Sequence, residues 1–155
     1  MRKNRFSFRR SLRSFFASHN RNSLKRRIQI SRDCVERIKG IHHNIILNSG
    51  EERERGLEDA VISDAALQSI CDEADFITDT FEYAALAIER IATMHPFIEG
   101  NKRTALATTM AILNRGGYTL PDSLDTMTFV KEVAMGMHDR ESIVAWLRDN
   151  SVSIS

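Results

Sequence analysis

The sequence predicts an all-α protein with about six helices. Apolar residues recur at helical spacing from Val35 to Leu147, and no segment alternates apolar and polar residues over a useful length. The chain has 155 residues, enough for one domain of ordinary size. Hydrophobic residues make up 42% and charged residues 28%, which is typical of a globular domain, and no apolar run is long enough to predict a membrane span.

The first two predicted helices precede the strongest part of the pattern. Ser31 is a suitable N-cap for the first helix, which ends where Asn-Ser-Gly at residues 48–50 interrupts the spacing. Its inner face consists of Val35, Ile38, His42 and Ile45. After a charged connection, GEERERG, a weaker pattern predicts a second helix from Leu57 to Cys71.

Four more helices follow. The third has the strongest periodicity, and it should end near Met94 because Pro96 disfavours helical geometry in the residue before it. A fourth is expected from Asn101 to the glycine pair at residues 116–117. The apolar residues of the third, fifth and sixth helices are Phe81, Ala84, Ala85, Ile88, Ile91 and Ala92; Met127, Val130, Ala134 and Met137; and Ile143, Trp146 and Leu147 after an Asp139 cap.

Charge divides the chain into a basic arm and an acidic body. The whole chain has a net charge of +1, but residues 1–32 contain eleven Lys and Arg and no acid, so all twenty-one acidic residues lie in the remainder. We treat residues 1–29 as an N-terminal extension and residues 30–150 as the domain. Three interpretations of the arm are open: a disordered or mis-started extension, a surface for nucleic acid or anionic lipid, and an organelle transit peptide.

The cysteines and two of the histidines give no metal signature. Cys34 and Cys71 occupy core-like helical positions without C-x-x-C spacing, so we expect buried thiols, no disulfide and a cytoplasmic location. His42 and His43 match no zinc spacing. Because His42 lies on the apolar face of the first helix, we interpret it as a core or surface histidine.

The candidate chemistry lies in residues 95–103, HPFIEGNKR. The segment joins two predicted helices, so the first backbone amides of the fourth helix are unpaired, and the helix dipole adds partial positive charge there. Lys102 and Arg103 are unfavourable beside that dipole, which indicates a negative ligand such as a phosphate. The alternative is a structural histidine at a helix end, followed by a solvated basic turn.

Two side chains of the segment suit phosphate chemistry. Glu99 supplies a carboxylate oxygen of the kind that Mg²⁺ accepts beside phosphates. An imidazole exchanges protons near neutral pH, so His95 is a candidate base for an attacking hydroxyl. Phe97 is expected to anchor the loop in the core.

The stretch HPFIEGNKRTA resembles the signature of the Fic/Doc (Fido) superfamily, in which His-x-Phe-x-Asp/Glu-Gly-Asn-Gly/Lys-Arg forms the loop before a helix. Lys102 stands where Fic enzymes usually have a glycine, and Leu106 stands where they have a second arginine. The chain is therefore more similar to the death-on-curing (Doc) branch. RGLEDAV, Arg55–Val61, is similar to a Gly-Leu-x-x-Ala-Val segment common in Doc proteins.

The resemblance implies a compact helical Fido domain that uses ATP and Mg²⁺ and transfers part of the nucleotide to a protein hydroxyl. It implies His95 as the general base, Glu99 as the Mg²⁺ ligand, and Gly100 as the point where the backbone approaches the phosphates. Asn101, Lys102 and Arg103 are the implied phosphate binders.

Three functions remain open. The resemblance to Doc implies a toxin kinase that phosphorylates a translation factor, such as elongation factor Tu, and is restrained by a separate antitoxin. Glu99-Gly100 is the Fic-like form of the loop, so adenylylation is the alternative. A third reading is an inactive module that binds nucleic acid or protein. Ser69 to Glu73 is similar to a Fic self-inhibitory helix but lacks its final Gly/Asn and its arginine partner, so we expect no self-inhibition.

Overall fold

The computed structural model describes Arg26 and residues 32–154 of the chain. The described part is all-α, as predicted, with six α-helices, a short 3-10 helix and two strands of two residues each. The elements are α1 (residues 32–47), η1 (Glu52–Glu54), α2 (Asp64–Ala74), α3 (Thr80–Met94), α4 (Asn101–Arg115), β1 (Tyr118–Thr119), α5 (Leu124–Ala134), α6 (Arg140–Asn150) and β2 (Val152–Ser153). Apart from Arg26, the predicted arm lies outside the described residues.

Helix α3 forms the centre of the core, because α2, α4, α5 and α6 all pack against it. Residues 84–88, Ala-Ala-Leu-Ala-Ile, are buried without interruption, and the alanines let neighbouring helices come close. The helix ends at Met94, as predicted, where His95 adopts a left-handed conformation before Pro96. The loop that follows is thereby attached to the most buried element of the fold.

Side-chain caps begin four of the helices. Ser63, Asp79, Ser123 and Asp139 accept hydrogen bonds from first-turn backbone N–H groups of α2, α3, α5 and α6. A cap of this kind contributes about 1 kcal/mol. Helix α4 begins instead at Gly100 and has no side-chain cap.

The predicted second helix is wrong over residues 57–63. These residues form turns and an isolated antiparallel bridge between Val61 and Phe97. The backbone N–H of Ile62 donates to Pro96 O at 2.7 Å, and that of Ile98 donates to Ala60 O at 3.3 Å. Val61 packs against the core from this extended segment, so its apolar side chain does not indicate a helix.

The C-terminal part shows two further differences from the predicted pattern. Helix α5 ends at Ala134, and Gly136 with φ 73° follows, so Met137 lies beyond the helix and is 64% exposed. Strands β1 and β2 pair antiparallel, and the N–H of Ile154 donates to Gly117 O at 2.9 Å. The folded body therefore continues past residue 150.

The prediction of two free thiols is also wrong, because Cys34 of α1 and Cys71 of α2 form a disulfide. Their Cα atoms lie 5.9 Å apart, and 37 positions separate them in the sequence. Both cysteines are buried, as expected. Their proximity results from the packing of two helices, which their spacing in the sequence does not reveal.

Over residues 32–154, no helix has both the length and the apolar character needed to cross a membrane.

Candidate functional site

A cavity of about 750 Å³ opens beside the loop between α3 and α4. Its walls come from the C-terminal end of α1, the loop itself, α4 and α5. All six predicted site residues line it: His95, Glu99, Gly100, Asn101, Lys102 and Arg103. The structure therefore brings together every residue that the sequence nominated for phosphate chemistry.

Asn101 holds the loop in shape. Its Oδ1 accepts a hydrogen bond from the backbone N–H of Phe97 at 3.0 Å, and its Nδ2 donates to Phe97 O at 2.7 Å. Phe97 is 1% exposed, so these bonds also join the loop to the core. Both the oxygen and the nitrogen of the Asn101 amide are thus engaged by the loop.

His42 supports the same loop from α1. Its ring is 1% exposed and stacks on Phe97 with centroids 3.8 Å apart and an interplanar angle of 4°. Nδ1 lies 3.0 Å from Glu58 O and Nε2 lies 3.0 Å from Glu99 O. A neutral ring donates to one of these carbonyls, and a doubly protonated ring donates to both. The sequence left open whether His42 is a core or a surface histidine, and it did not indicate the contact with the loop.

His95 stands at the edge of the cavity in a backbone conformation that is uncommon for its residue type. Its φ of 47° makes it the sole non-glycine residue with positive φ in the described part of the chain. The side chain is exposed, and no residue among 32–154 hydrogen-bonds its ring. Within the same range, neither the Glu99 carboxylate nor the Lys102 ammonium has an ion-pair partner. These three groups are available to a substrate.

Gly100 is required at the start of α4 for reasons of space as well as conformation. Its φ is 77°, and a Cβ at this position would lie 2.8 Å from Ile46 Cδ1. The backbone amides of residues 101–103 follow directly, without a side-chain cap. Unpaired amides and two adjacent cations make this helix end suited to an anion.

Arg103 is paired with a buried acid that the sequence reading missed. Its Nη2 donates to Oε1 of Glu54, whose side chain is fully buried, while Arg103 itself is 41% exposed. The guanidinium, helped by the Ser49 hydroxyl, holds the pKa of Glu54 below its ordinary value of 4.5, although burial acts in the opposite direction. Glu54 lies in the charged GEERERG stretch, where no motif or periodicity distinguished it from its neighbours.

The remaining wall of the cavity is largely apolar. Helix α4 contributes Leu106, Ala107 and Met110 beyond its basic first turn, and α5 contributes Met127 and Val130. Arg53 and Lys131 also line the cavity. Along α4, positive charge is therefore concentrated in the first turn and apolar surface follows in the next turns. The part played by α5 could not be read from the sequence, because only packing places it there.

Within the described part of the chain, the carboxylates do not build a metal site by themselves. No group of three or more His, Cys, Asp or Glu residues among 32–154 is placed to hold an ion. Glu99 is a single carboxylate that lines the cavity with Lys102 and Arg103, and a single carboxylate suits a Mg²⁺ ion coordinated mainly by nucleotide oxygens and water. The residues present therefore fit an ion that enters with its nucleotide.

Glu73, the acid of the segment from Ser69 to Glu73 that is similar to a self-inhibitory helix, forms ion pairs outside the cavity. It accepts hydrogen bonds from Arg90 at 2.9 Å and from Arg140 at 3.4 Å, and Arg140 also contacts Glu89. These ion pairs join α2, α3 and α6. Glu73 does not line the cavity.

A comparison with known families agrees with this geometry. The model of the Fic/DOC family matches residues 30–113, more than half of the 155 residues. The matched range contains α1, the Glu54 segment, α2, α3, the whole loop and most of α4. A search of the curated proteins finds no match.

Proposed function

The chain belongs to the Fic/DOC family, and from that premise we propose that it is a Doc-like toxin that transfers the terminal phosphate of a nucleoside triphosphate to a protein hydroxyl. Membership of this family generally implies transferase activity on proteins. The resemblance to Doc suggests a translation elongation factor, with elongation factor Tu as the first candidate, as the target. It also suggests a separate antitoxin as the restraining partner.

The distribution of charge along α4 is the observation that favours transfer of the terminal phosphate. Lys102, Arg103 and the unpaired amides lie in the first turn, next to His95, whereas Leu106 and Met110 give the following turns an apolar surface. The terminal phosphate has the highest negative charge of a nucleoside triphosphate, so it is favoured where the positive potential is strongest. The sugar and base are then directed toward the apolar wall.

This orientation gives each residue a role in phosphate transfer. The target hydroxyl attacks the terminal phosphorus, its oxygen–phosphorus bond forms, the bond to the bridging oxygen breaks, and ADP leaves. His95 accepts the hydroxyl proton, and Lys102 and Arg103 stabilise charge on the transferred group. Glu99 would hold Mg²⁺, which neutralises phosphate charge when it is bound. Asn101 and Gly100 keep the loop and the first amides of α4 in place.

Product analysis tests the proposal. We expect the full chain, incubated with ATP, Mg²⁺ and purified elongation factor Tu, to add one phosphate to the factor and to release ADP. Intact-mass measurement of the factor and chromatography of the nucleotides report the two products. Release of pyrophosphate with an adenylylated target would replace the kinase by the adenylyltransferase alternative, which the Glu99-Gly100 form of the loop favours.

A further inference from the structure

Glu54 is a buried charge whose partner faces the cavity. Its side chain is fully buried at the end of η1, and besides the Ser49 hydroxyl it contacts Arg103, whose guanidinium reaches it from the first turn of α4. Removing a carboxylate from water is costly, and an apolar residue often stabilises such a position equally well. The presence of an acid here therefore points to something that it does for Arg103.

The contact fixes one end of the guanidinium and leaves the rest of it available. Arg103 reaches Glu54 through Nη2, and a Cβ on Gly100 would lie 3.6 Å from that same atom. No described residue accepts a hydrogen bond from Nε or Nη1 of Arg103. An arginine has five N–H donors in a rigid planar fork, so fixing one end also fixes the direction of the others.

We propose that Glu54 is a positioning residue for phosphate transfer, acting through Arg103; this inference rests on the proposed function of the cavity. By holding Nη2, the carboxylate presets the guanidinium so that its free N–H groups meet the transferred phosphate without a search among rotamers. A misplacement of about 1 Å in such a group lowers transfer about 100-fold.

If Glu54 inhibited the protein instead, the effect of its removal on ATP binding and on the rate would be reversed. A carboxylate that competed with phosphate for Arg103 would weaken nucleotide binding, and its removal would tighten binding and raise the rate. A positioning carboxylate instead raises the turnover rate and changes ATP affinity little.

The test compares Glu54→Gln with Glu89→Gln in the full chain. Glu89 also pairs with a partly exposed arginine, Arg140, but it lies outside the cavity, so it controls for the loss of an ion pair. We expect Glu54→Gln to lower the rate at saturating ATP roughly 10- to 100-fold, with the dissociation constant of ATP changed less than about threefold. We expect the rate of Glu89→Gln to stay within about twofold of wild type. Tighter ATP binding with an undiminished rate for Glu54→Gln would overturn the proposal.

A double-mutant cycle separates positioning from general damage. In an Arg103→Ala background, Glu54→Gln should cause no further loss of rate, because the residue through which it acts is gone. An equal loss in both backgrounds would show that Glu54 acts only on folding. If Glu54→Gln does not fold, Glu54→Asp keeps the charge and should give an intermediate rate; a wild-type rate would count against the proposal.

This inference can fail separately from the proposed function. The rate in the cycle is that of whichever group is transferred, and the identity of the released nucleotide product is scored independently. An adenylyltransferase with strong coupling between Glu54 and Arg103 would refute the kinase and keep the positioning role. A kinase without that coupling would do the reverse.

Discussion

At the residue scale, the hydrogen bonds and ion pairs of the described structure separate residues that can contact a substrate from residues that hold the loop in place. His95, Glu99 and Lys102 line the cavity with no described ion pair or hydrogen bond to their side chains, whereas Asn101 is bonded to Phe97 on both sides of its amide. The bonded amide of Asn101 gives the loop rigidity, and groups without partners can meet a substrate. We therefore expect substitution of Asn101 to act on folding, and substitutions of His95, Glu99 or Lys102 to act on transfer.

His95→Ala tests the general base. Because the binding groups of α4 remain, we expect ATP affinity to stay within a few-fold of wild type while the transfer rate falls roughly 10²- to 10⁴-fold. Calorimetry with ATP and single-turnover kinetics measure the two quantities. His43→Ala is the control, since His43 pairs with Asp59 and does not line the cavity. A wild-type transfer rate in His95→Ala would remove this residue from the mechanism.

Lys102→Gly tests the residue that differs most from the usual Fic loop. The ammonium has no described partner, so its loss should cost mainly transition-state stabilisation, about 1.5–3 kcal/mol, or roughly a 10- to 150-fold lower rate of phosphate transfer. Adenylylation is not expected to appear, because Leu106 still occupies the place of a second arginine. Steady-state kinetics and nucleotide analysis give both answers. A variant as fast as wild type would contradict the kinase assignment.

The pH dependence of stability tests the Glu54 carboxyl. Arg103 lowers the pKa of Glu54 in the folded state, so the stability gained from its ionised form is fully present above the ordinary pKa of 4.5 and is lost as the pH falls through the lowered folded value. We expect Glu54→Gln to be less stable than wild type at pH 7 and the difference to shrink below about pH 4.5. Urea unfolding between neutral and acid pH measures this; a constant difference would show that the pair does not contribute through ionisation.

At the element scale, the disulfide links α1 to α2. It connects positions 37 apart in the sequence, so its loss frees a long segment of the unfolded chain. The chain-entropy model gives about 4 kcal/mol for a loop of this size, and measured effects are often smaller. We expect reduction by dithiothreitol, or Cys34→Ala with Cys71→Ala, to lower the free energy of unfolding by roughly 2–4 kcal/mol.

Denaturant unfolding of oxidised, reduced and doubly substituted protein measures that difference. The double variant is the control, because dithiothreitol should not change its stability. Two free thiols per chain in denatured protein that has not been reduced would contradict the disulfide.

The elements also show which features a sequence can reveal. Helices α3, α4 and α6 were predictable because the periodicity of each agrees with one boundary signal: a proline after α3, a glycine pair after α4 and an aspartate cap before α6. The start of α2 was not predictable, because Val61 is partly buried from an extended segment that pairs with the distant residue Phe97. The same limit applies to the site: the contiguous loop was predictable, whereas Glu54, His42 and the α5 wall reach it through packing alone.

At the whole-molecule scale, the chain combines a basic arm with an acidic body. Residues 33–155 contain eleven basic and twenty-one acidic residues, so the body alone is expected to repel the phosphates of nucleic acid. The cavity is a local exception, because four cations, Arg53, Lys102, Arg103 and Lys131, line it. Attraction of a single nucleotide and of a long nucleic acid should therefore depend on different parts of the chain.

Deletion of residues 1–27 separates these two parts. The segment contains ten Lys and Arg and no acid, a composition that cannot form a core, so helicity and melting temperature should change little and the rate of transfer should stay within about twofold. Any gel shift of a DNA or RNA duplex should disappear with the deletion and weaken steeply with salt, because cations of the arm are its main source. Circular dichroism, transfer assays and electrophoresis measure the three properties.

A large fall in melting temperature would place Phe8, Phe15 or Phe16 in the core. A gel shift that survived deletion would instead locate nucleic-acid binding on the body, against its net charge.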